Sequence, residues 1–137
     1  LATSSAASDV YKRQLEPNAN NDGATIVWSI APNYYLYRHK FAVSLLNDDD
    51  SAAQPLSSVS YSKGIRKSDD YYGQVEVYYY QAMATINQRD WQHIIDPKSA
   101  INSLQVSYQG CAEAGLCYPT QTRSLSIPMN TVKKSIE

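Results

Sequence analysis

The sequence is poor in several features that mark whole classes of proteins. No hydrophobic run approaches the roughly 20 residues that a transmembrane helix needs. The formal net charge is only −1 and Lys and Arg are not clustered, which argues against a nucleic-acid binder. Two cysteines are too few for a disulfide-dense miniprotein. With 137 residues, of which 43% are hydrophobic and 18% charged, the chain is too apolar for disorder and long enough for one domain with a core.

Motifs for several common chemistries are missing as well. There is no glycine-rich phosphate loop and no dinucleotide fingerprint, and the serine-rich stretches lack a nucleophile elbow. His39 and His93 are isolated from carboxylates and cysteines at ligand spacing. The Asp-rich run 47–50 lacks the spaced ligands and the glycine of a calcium loop. The sequence therefore predicts neither a metal site nor a bound nicotinamide or flavin.

What the sequence has in excess is tyrosine, with 12 residues against a single Phe, and tyrosine favours strands. Asp90 is predicted to cap a helical turn that Pro97 ends. Short strands separated by turns, without a long helix, predict an all-β fold, either a sandwich or a barrel. Apolar and polar residues alternate most clearly in the segments 24–30, 41–45, 74–86, 104–110 and 124–127.

The two ends of the chain carry weak folding signals. Residues 1–14 are small and polar without periodicity, and the Asn/Asp-rich turn 18–23 follows them. Residues 1–22 are therefore predicted to be a disordered or foreign tail. The ordered domain is predicted over 23–129, and 130–137 is predicted to be the start of a linker.

The two cysteines lie close together in the most informative segment, YQGCAEAGLCYP over residues 108–119. Five residues separate Cys111 from Cys117 and predicted strands flank them, so the two fit opposite sides of a hairpin. Paired residues of antiparallel strands lie within the roughly 7 Å that a disulfide needs between Cα atoms. Gly110 and Gly115 are expected to supply the backbone freedom of such a tight loop. The spacing therefore predicts a disulfide on a hairpin.

This disulfide could be redox-active or structural. A ring of seven residues stabilises a fold by only about 2.4 kcal/mol through loop entropy, which is little for a structural bridge. The apolar residues of the preceding strand, such as Leu104 and Val106, share one face, which puts Cys111 on the opposite, polar face. A pair there would be reachable by another protein, and exposed disulfides in short loops are the labile ones. On the residues alone, the disulfide could be either a site of thiol–disulfide exchange or a structural cross-link of the hairpin in a secreted domain.

Three segments, in the same order and spacing, resemble a known family. The cysteine segment is similar to the active-site hairpin of the N-terminal periplasmic domains of the thiol:disulfide interchange protein DsbD. Residues 34–38 (YYLYR) look like the tyrosine-rich strand of that family. Residues 69–73 (DDYYG) look like its cap loop, which usually reads Asp-Glu-Phe-Tyr-Gly. The similarity covers about 24–127, which is most of the chain.

The resemblance implies an immunoglobulin-like β-sandwich that acts as a protein-disulfide reductase domain in the periplasm, as a monomeric part of an inner-membrane protein. Its redox-active disulfide would serve without a cofactor or a metal. Electrons would arrive from the membrane-embedded part through a thioredoxin-like domain of the same full-length protein. They would pass to isomerases of the DsbC and DsbG type and to cytochrome c maturation thioredoxins. The alternatives are a non-catalytic immunoglobulin-like binding module with a structural disulfide, or a chaperone-like sandwich that offers an edge strand.

The resemblance also implies roles for individual residues. Cys117 would form the mixed disulfide with partners, and Cys111 would then close the internal bridge. The cap loop would shield the pair, and the charges of Asp69 and Asp70 would disfavour a thiolate until a partner displaces the loop. Tyr71 stands where the family commonly has Phe. The other expected site residues are Tyr72 and Gly73 in the cap loop, Tyr35 and Tyr37 lining the site, and Tyr118 and Pro119 on the docking surface.

The chain departs from the family at its N-terminal side. Family members usually have more strand-forming sequence before the strand of Trp28, and here the predicted tail takes that place. The first edge strand is therefore expected to be missing or replaced, which would leave a sheet edge exposed.

Overall fold

The computed structural model describes residues 10–47 and 53–128. Most of these residues form short antiparallel strands, and helix α1 (Gln88–Ile95) and a 3-10 turn (Arg38–Lys40) complete the regular structure described. The predicted all-β class is confirmed. The strands are, in chain order, β1 (Tyr11–Pro17), β2 (Ala24–Ile30), β3 (Tyr34–Tyr37), β4 (Ala42–Asn47), β5 (Gln54–Pro55), β6 (Ser60–Tyr61), β7 (Ile65–Asp69), β8 (Gly73–Tyr78), β9 (Gln81–Ile86), β10 (Ile101–Tyr108), β11 (Gly110–Ala112) and β12 (Gln121–Ser126).

Over the described ranges the strands form three four-stranded antiparallel sheets. Sheet one has the order β1-β2-β9-β6, sheet two β12-β10-β4-β5, and sheet three β11-β3-β8-β7. The segment 74–86, whose alternation looked continuous, is therefore two strands in two different sheets. Tyr80 lies between them with a φ of 64°, a left-handed conformation that turns the chain from sheet three to sheet one.

The main core joins the apolar faces of sheets one and two. Trp28 of β2 is fully buried, as predicted from the alternation of its strand. Its ring packs edge-on against Phe41, with 4.7 Å between ring centroids, and against Tyr108 of sheet two at 6.1 Å. Interdigitation of two inner faces is the packing of a β-sandwich, and so the predicted architecture is confirmed.

Helix α1 closes one side of this core with the buried side chains of Trp91, Ile94 and Ile95. The helix begins one turn earlier than predicted. Its N-cap is Asn87, whose side-chain oxygen accepts a hydrogen bond from the backbone N–H of Asp90 at 2.8 Å. Asp90 therefore lies inside the first turn and is not the cap.

The prediction of a tail was wrong for residues 11–17. They form β1, which pairs with β2 along all seven residues. Tyr11 is fully buried, and its hydroxyl donates a hydrogen bond to the carbonyl of Tyr35 at 3.2 Å. An edge strand, which was expected to be missing or replaced, is thus present and pairs with β2. Residues 1–9 of the predicted tail, residues 48–50 of the Asp-rich run and the linker predicted over 130–137 lie outside the described residues.

Sheet three carries a second, smaller cluster on the face turned away from the main core. Because neighbouring residues of a strand point to opposite faces, Leu36 of β3 packs into the main core while Tyr35 and Tyr37 point the other way. There they pack with Cys111 and Cys117. The short strand YYLY thus places two tyrosine rings beside the two cysteines.

Candidate active site

Cys111 and Cys117 form a disulfide across the predicted hairpin. Cys111 lies in β11, opposite Tyr35 of β3, and Cys117 faces it as an isolated antiparallel bridge. The two Cα atoms are 3.9 Å apart. The hairpin predicted from the spacing is therefore present, with the disulfide joining its two limbs.

The two glycines of the hairpin serve different purposes. Gly115 has a φ of 108°, so it supplies the expected backbone freedom at the tip. Gly110 is instead required by close packing: a Cβ atom there would lie 1.9 Å from the carbonyl oxygen of Tyr35 and 2.5 Å from the hydroxyl oxygen of Tyr11. The absence of a side chain at Gly110 lets β11 pair closely with β3.

The expected exposure of the cysteine pair was wrong. The pair does lie on the face away from the main core, but Cys111 is fully buried and Cys117 is only 7% exposed. The reason is that the chain leaves sheet two after β10 and joins sheet three, where tyrosine rings cover both sulfurs. The alternation of polar and apolar residues along β10 could not predict that tyrosine rings cover the sulfurs.

Asp69 ties the tyrosines to the cap loop, defined here as residues 69–73. One carboxylate oxygen, Oδ2, accepts hydrogen bonds from the hydroxyls of Tyr35 at 2.6 Å and Tyr37 at 2.7 Å. The other, Oδ1, accepts from the backbone N–H groups of Tyr71 at 2.8 Å and Tyr72 at 2.9 Å. One buried carboxylate thus fixes both the tyrosine hydroxyls and the backbone of the loop.

These contacts set the protonation states around the sulfurs. Burial works against the charge of Asp69, but its four hydrogen bonds outweigh that effect and hold its pKa below the usual range. Burial and the hydrogen bond to Asp69 raise the pKa of both Tyr35 and Tyr37. The hydroxyl oxygen of Tyr37 lies 3.1 Å from Cys111 Sγ and 4.0 Å from Cys117 Sγ. An ionised carboxylate therefore stands one neutral hydroxyl away from the disulfide.

The cap loop rests directly on the cysteine hairpin. Tyr71 is 61% exposed, and its hydroxyl donates to the carbonyl of Gly115 at 3.2 Å. The hydroxyl of Tyr72 donates to the side-chain oxygen of Gln109 at 3.4 Å. The Tyr72 ring also packs edge-on against Tyr37, with centroids 4.9 Å apart. In addition to the backbone bonds to Asp69, the loop is thus held by hydroxyl contacts to the hairpin and by ring contacts of Tyr72.

A cavity of about 230 Å³ opens between the cap loop and the hairpin. It is lined by Tyr37, Tyr71, Tyr72, Gln109 and Cys117. Cys117 is the cysteine that borders this space, whereas Cys111 lies behind it against Tyr37. Cys117 is therefore the more accessible of the two cysteines.

Three of the predicted site residues take no part in the contacts described above. Asp70 is exposed and takes no part in the hydrogen bonds of Asp69. Tyr118 is buried in the main core, with its ring centroid 6.2 Å from that of Tyr11, so the ring does not present a surface for docking. Pro119, next to it, is half-buried.

Three residues near the hairpin were not predicted from the sequence. Glu113 lies between the two cysteines, where it meets Lys67 of β7 and Tyr79 beyond the end of β8. A charged residue inside the seven-residue ring is a signal that could have pointed to Glu113. Nothing in the sequence indicates Lys67 or Tyr79 as its partners, because Lys67 lies in β7, Tyr79 follows β8 and Glu113 follows β11, far apart along the chain.

Residues 10–47 and 53–128 contain neither a cluster of metal-binding side chains nor a membrane-spanning helix. No group of three or more His, Cys, Asp or Glu side chains comes together there in a way that could hold a metal ion. No helix in the same part of the chain is long and apolar enough to cross a membrane.

Comparison with known proteins assigns the family. The family model described as thiol:disulfide interchange protein DsbD, N-terminal, matches residues 5–128. The chain belongs to this family. A DsbD N-terminal domain with a disulfide at this hairpin has the group that thiol:disulfide interchange requires.

Curated full-length relatives agree with the assignment. The thiol:disulfide interchange protein DsbD of Yersinia pestis is 36% identical over 111 residues, which are 81% of this chain. DsbD of Salmonella typhimurium is 30% identical over 120 residues, or 86% of this chain. The matches cover only 16% and 18% of those two proteins, so the chain spans less than a fifth of their length.

Solved DsbD structures share the fold. The reduced N-terminal domain of Neisseria meningitidis DsbD superposes with a TM-score of 0.64 at 28% identity, covering 87% of this chain and 85% of that one. The complex between the DsbD and PilB N-terminal domains of the same organism gives a TM-score of 0.60 at 28% identity, covering 85% and 81%. The predicted family and sandwich fold are both confirmed.

Proposed function

We propose that this DsbD N-terminal domain reduces disulfides of partner proteins, with Cys117 as the attacking thiol and Cys111 as the resolving thiol. The observation that carries the proposal is the unequal exposure of the two cysteines. Cys117 borders the cavity under the cap loop, whereas Cys111 is fully buried against Tyr37. A sulfur of another protein can therefore approach Cys117 without first moving Cys111.

The exchange balances in two steps. In the reduced domain, the Cys117 thiolate attacks one sulfur of the partner disulfide, and the second partner sulfur leaves as a thiolate. Cys111 then gives up its proton and attacks Cys117 Sγ, which breaks the mixed disulfide and releases the first partner sulfur. The partner gains two electrons and the internal disulfide closes. A dithiol donor reopens it by the reverse route.

The buried charge of Asp69 would keep the cysteine pair unreactive while no partner is bound. A carboxylate one hydroxyl away from Cys111 disfavours formation of a thiolate there, and the cap loop covers Cys117. When a docking protein lifts the loop, the backbone contacts of Tyr71 and Tyr72 to Asp69 break together with their hydroxyl contacts to the hairpin. Exposure and reactivity of the pair would then rise at the same moment.

Family membership supports the wider setting of this chemistry. We place the domain in the bacterial periplasm, as part of an inner-membrane protein whose thioredoxin-like domain supplies the electrons. Disulfide isomerases and cytochrome c maturation thioredoxins would receive them. The solved complex of a related DsbD domain with a PilB domain supports a folded protein as the exchange partner.

Trapping of the mixed disulfide tests the proposal. Cys111→Ser, mixed with an oxidised thioredoxin-fold protein, should accumulate a covalent complex that dithiothreitol dissolves. Cys117→Ser should capture at least about tenfold less, because its remaining thiol is buried. Equal capture by the two variants, or stronger capture by Cys117→Ser, would contradict the proposed roles of the two cysteines. If neither variant captures a partner, a binding module with a structural disulfide replaces the exchange domain.

A further inference from the structure

The loop between the two cysteines is anchored by three residues to which the exchange steps above assign no role. The carboxylate of Glu113 lies 3.2 Å from the ammonium group of Lys67 and accepts a hydrogen bond from the hydroxyl of Tyr79. We propose that Lys67, Tyr79 and Glu113, here called the hairpin clamp, hold Cys111 in the position from which it closes the internal disulfide. This inference rests on the proposed exchange function and names the residues that position its resolving thiol.

The two limbs of the hairpin are anchored differently. The limb of Cys111 is fixed to sheet three: β11 pairs with β3, and the backbone N–H of Glu113 donates to the carbonyl of Asn33 at 2.8 Å. The limb of Cys117 is joined to the first limb on both sides of the cysteine: the carbonyl of Leu116 accepts from the N–H of Ala112 at 2.7 Å, and the N–H of Tyr118 donates to the carbonyl of Gly110 at 3.0 Å. Tyr118 at its end is buried in the main core. The clamp therefore acts on the limb that carries the resolving cysteine.

Within the clamp, the carboxylate of Glu113 and the ammonium group of Lys67 form an ion pair. The hydroxyl of Tyr79 lowers the pKa of Glu113, and Lys67 lowers it further against the opposing effect of burial. Lys67 also lies over the ring of Tyr35, with its nitrogen 5.1 Å from the ring centroid. Tyr35 is the β3 residue directly opposite Cys111. The clamp thus contacts the hairpin and the residue that faces its buried cysteine.

The strength of the clamp is limited by solvent. The side chains of Lys67 and Glu113 are 25% and 41% exposed, and ion pairs of this kind contribute little on their own. The hydrogen bond from Tyr79 adds a second contact to the same carboxylate. An effect of about two- to fivefold on a rate or an equilibrium constant is therefore expected.

The clamp should affect one step of the exchange and not the other. Resolution requires Cys111 Sγ to reach Cys117 Sγ, and its rate depends on how often the first limb holds the attacking geometry. The initial attack by Cys117 on a partner disulfide has no such requirement. Loss of the clamp should slow closure of the internal disulfide and leave the first attack unchanged.

Single-turnover exchange with oxidised glutathione separates these steps. The reduced domain is mixed with excess oxidised glutathione, quenched with acid and measured by mass spectrometry for the adduct at Cys117. In Glu113→Gln and in Lys67→Met the adduct should decay about two- to fivefold more slowly and form at the wild-type rate. The double variant should slow decay by less than the product of the two single effects, because the two substitutions remove one shared contact.

A second ion pair, between the 3-10 turn and β8, provides the matched control. Arg38→Met breaks the 2.7 Å contact between Arg38 and Glu76, which does not touch the hairpin, and should leave both steps unchanged. Wild-type decay of the adduct in the clamp variants would overturn the inference, even if trapping supports exchange through Cys117.

A redox titration tests the clamp independently of any protein partner. Titration against dithiothreitol should give Glu113→Gln a two- to fivefold smaller equilibrium constant for disulfide closure, which is a potential about 10–20 mV less negative. An unchanged potential would overturn the clamp whether or not the domain exchanges with proteins. The absence of any glutathione adduct in the wild-type domain, together with a shifted potential in the variant, would count against the exchange function and in favour of the clamp.

Discussion

Asp69 receives hydrogen bonds from both sides of the cysteine site. The hydroxyls of Tyr35 and Tyr37 reach one of its oxygens and the amides of the cap loop reach the other. Hydrogen bonds to a charged acceptor are worth roughly twice those between neutral groups. The orientation of the tyrosines and the closure of the loop therefore depend on the same charge.

Replacement of this carboxylate should destabilise the domain in a pH-dependent way. For Asp69→Asn we expect a loss of about 2 kcal/mol at pH 7, because buried hydroxyls lose a charged acceptor. The folded pKa of Asp69 lies below the unfolded value of about 3.9. Its contribution is thus complete above that value and is lost as the pH falls through the folded pKa. Urea unfolding at pH 7 and pH 3 measures the difference.

The neighbouring acid provides the control for this prediction. Asp70→Asn removes the same charge from an exposed position and should change the free energy of unfolding by less than about 0.5 kcal/mol. A deficit in Asp69→Asn that stays the same at both pH values would show that the charge is not what stabilises the fold.

For individual residues, the sequence predicted the type of chemistry better than it predicted the side-chain contacts. The cysteine spacing predicted the hairpin, and the resemblance brought Asp69, Tyr35 and Tyr37 to the site. The partners of Glu113 could not be predicted, since Lys67 is 46 residues away along the chain and Tyr79 is 34 away. Such contacts follow from the order of strands in sheet three, which alternation along single strands does not determine.

Among the elements, β1 links the N-terminal side of the domain to the site. Tyr11 is buried at its start, where its hydroxyl donates to the carbonyl of Tyr35 and lies against Gly110. The strand was missed because its exposed residues are those of an edge strand with one solvent-facing side, which gives a polar composition. These residues are Lys12, Gln14 and Glu16.

Truncation of the buried tyrosine should separate packing from hydrogen bonding in this element. Tyr11→Ala is expected to lower the free energy of unfolding by about 3–5 kcal/mol, and Tyr11→Phe by only about 1 kcal/mol. Lys12→Ala, on the exposed side of the same strand, should stay within about 0.5 kcal/mol of the wild type. Thermal or urea unfolding measures all three. Equal, small losses in both Tyr11 variants would show that β1 contributes little to the fold.

For the whole molecule, the sequence predicted the class of fold but not the division into three sheets. Alternation in β2 and β4 identified two strands of the core correctly. It could not show that the chain moves to sheet three at β11, because a short strand such as GCA has no periodicity of its own. The tyrosine rings cover the sulfurs because the chain crosses to sheet three. Since the sequence did not indicate this crossing, the pair was expected to be exposed.

The reduction potential of the Cys111–Cys117 disulfide tests the central claim most directly. It can be measured by trapping thiols across defined glutathione and dithiothreitol buffers. An exchange domain should give a value of roughly −180 to −270 mV, the range of proteins that transfer electrons between thiols. A value below about −300 mV would mark a structural bridge and contradict the proposed function.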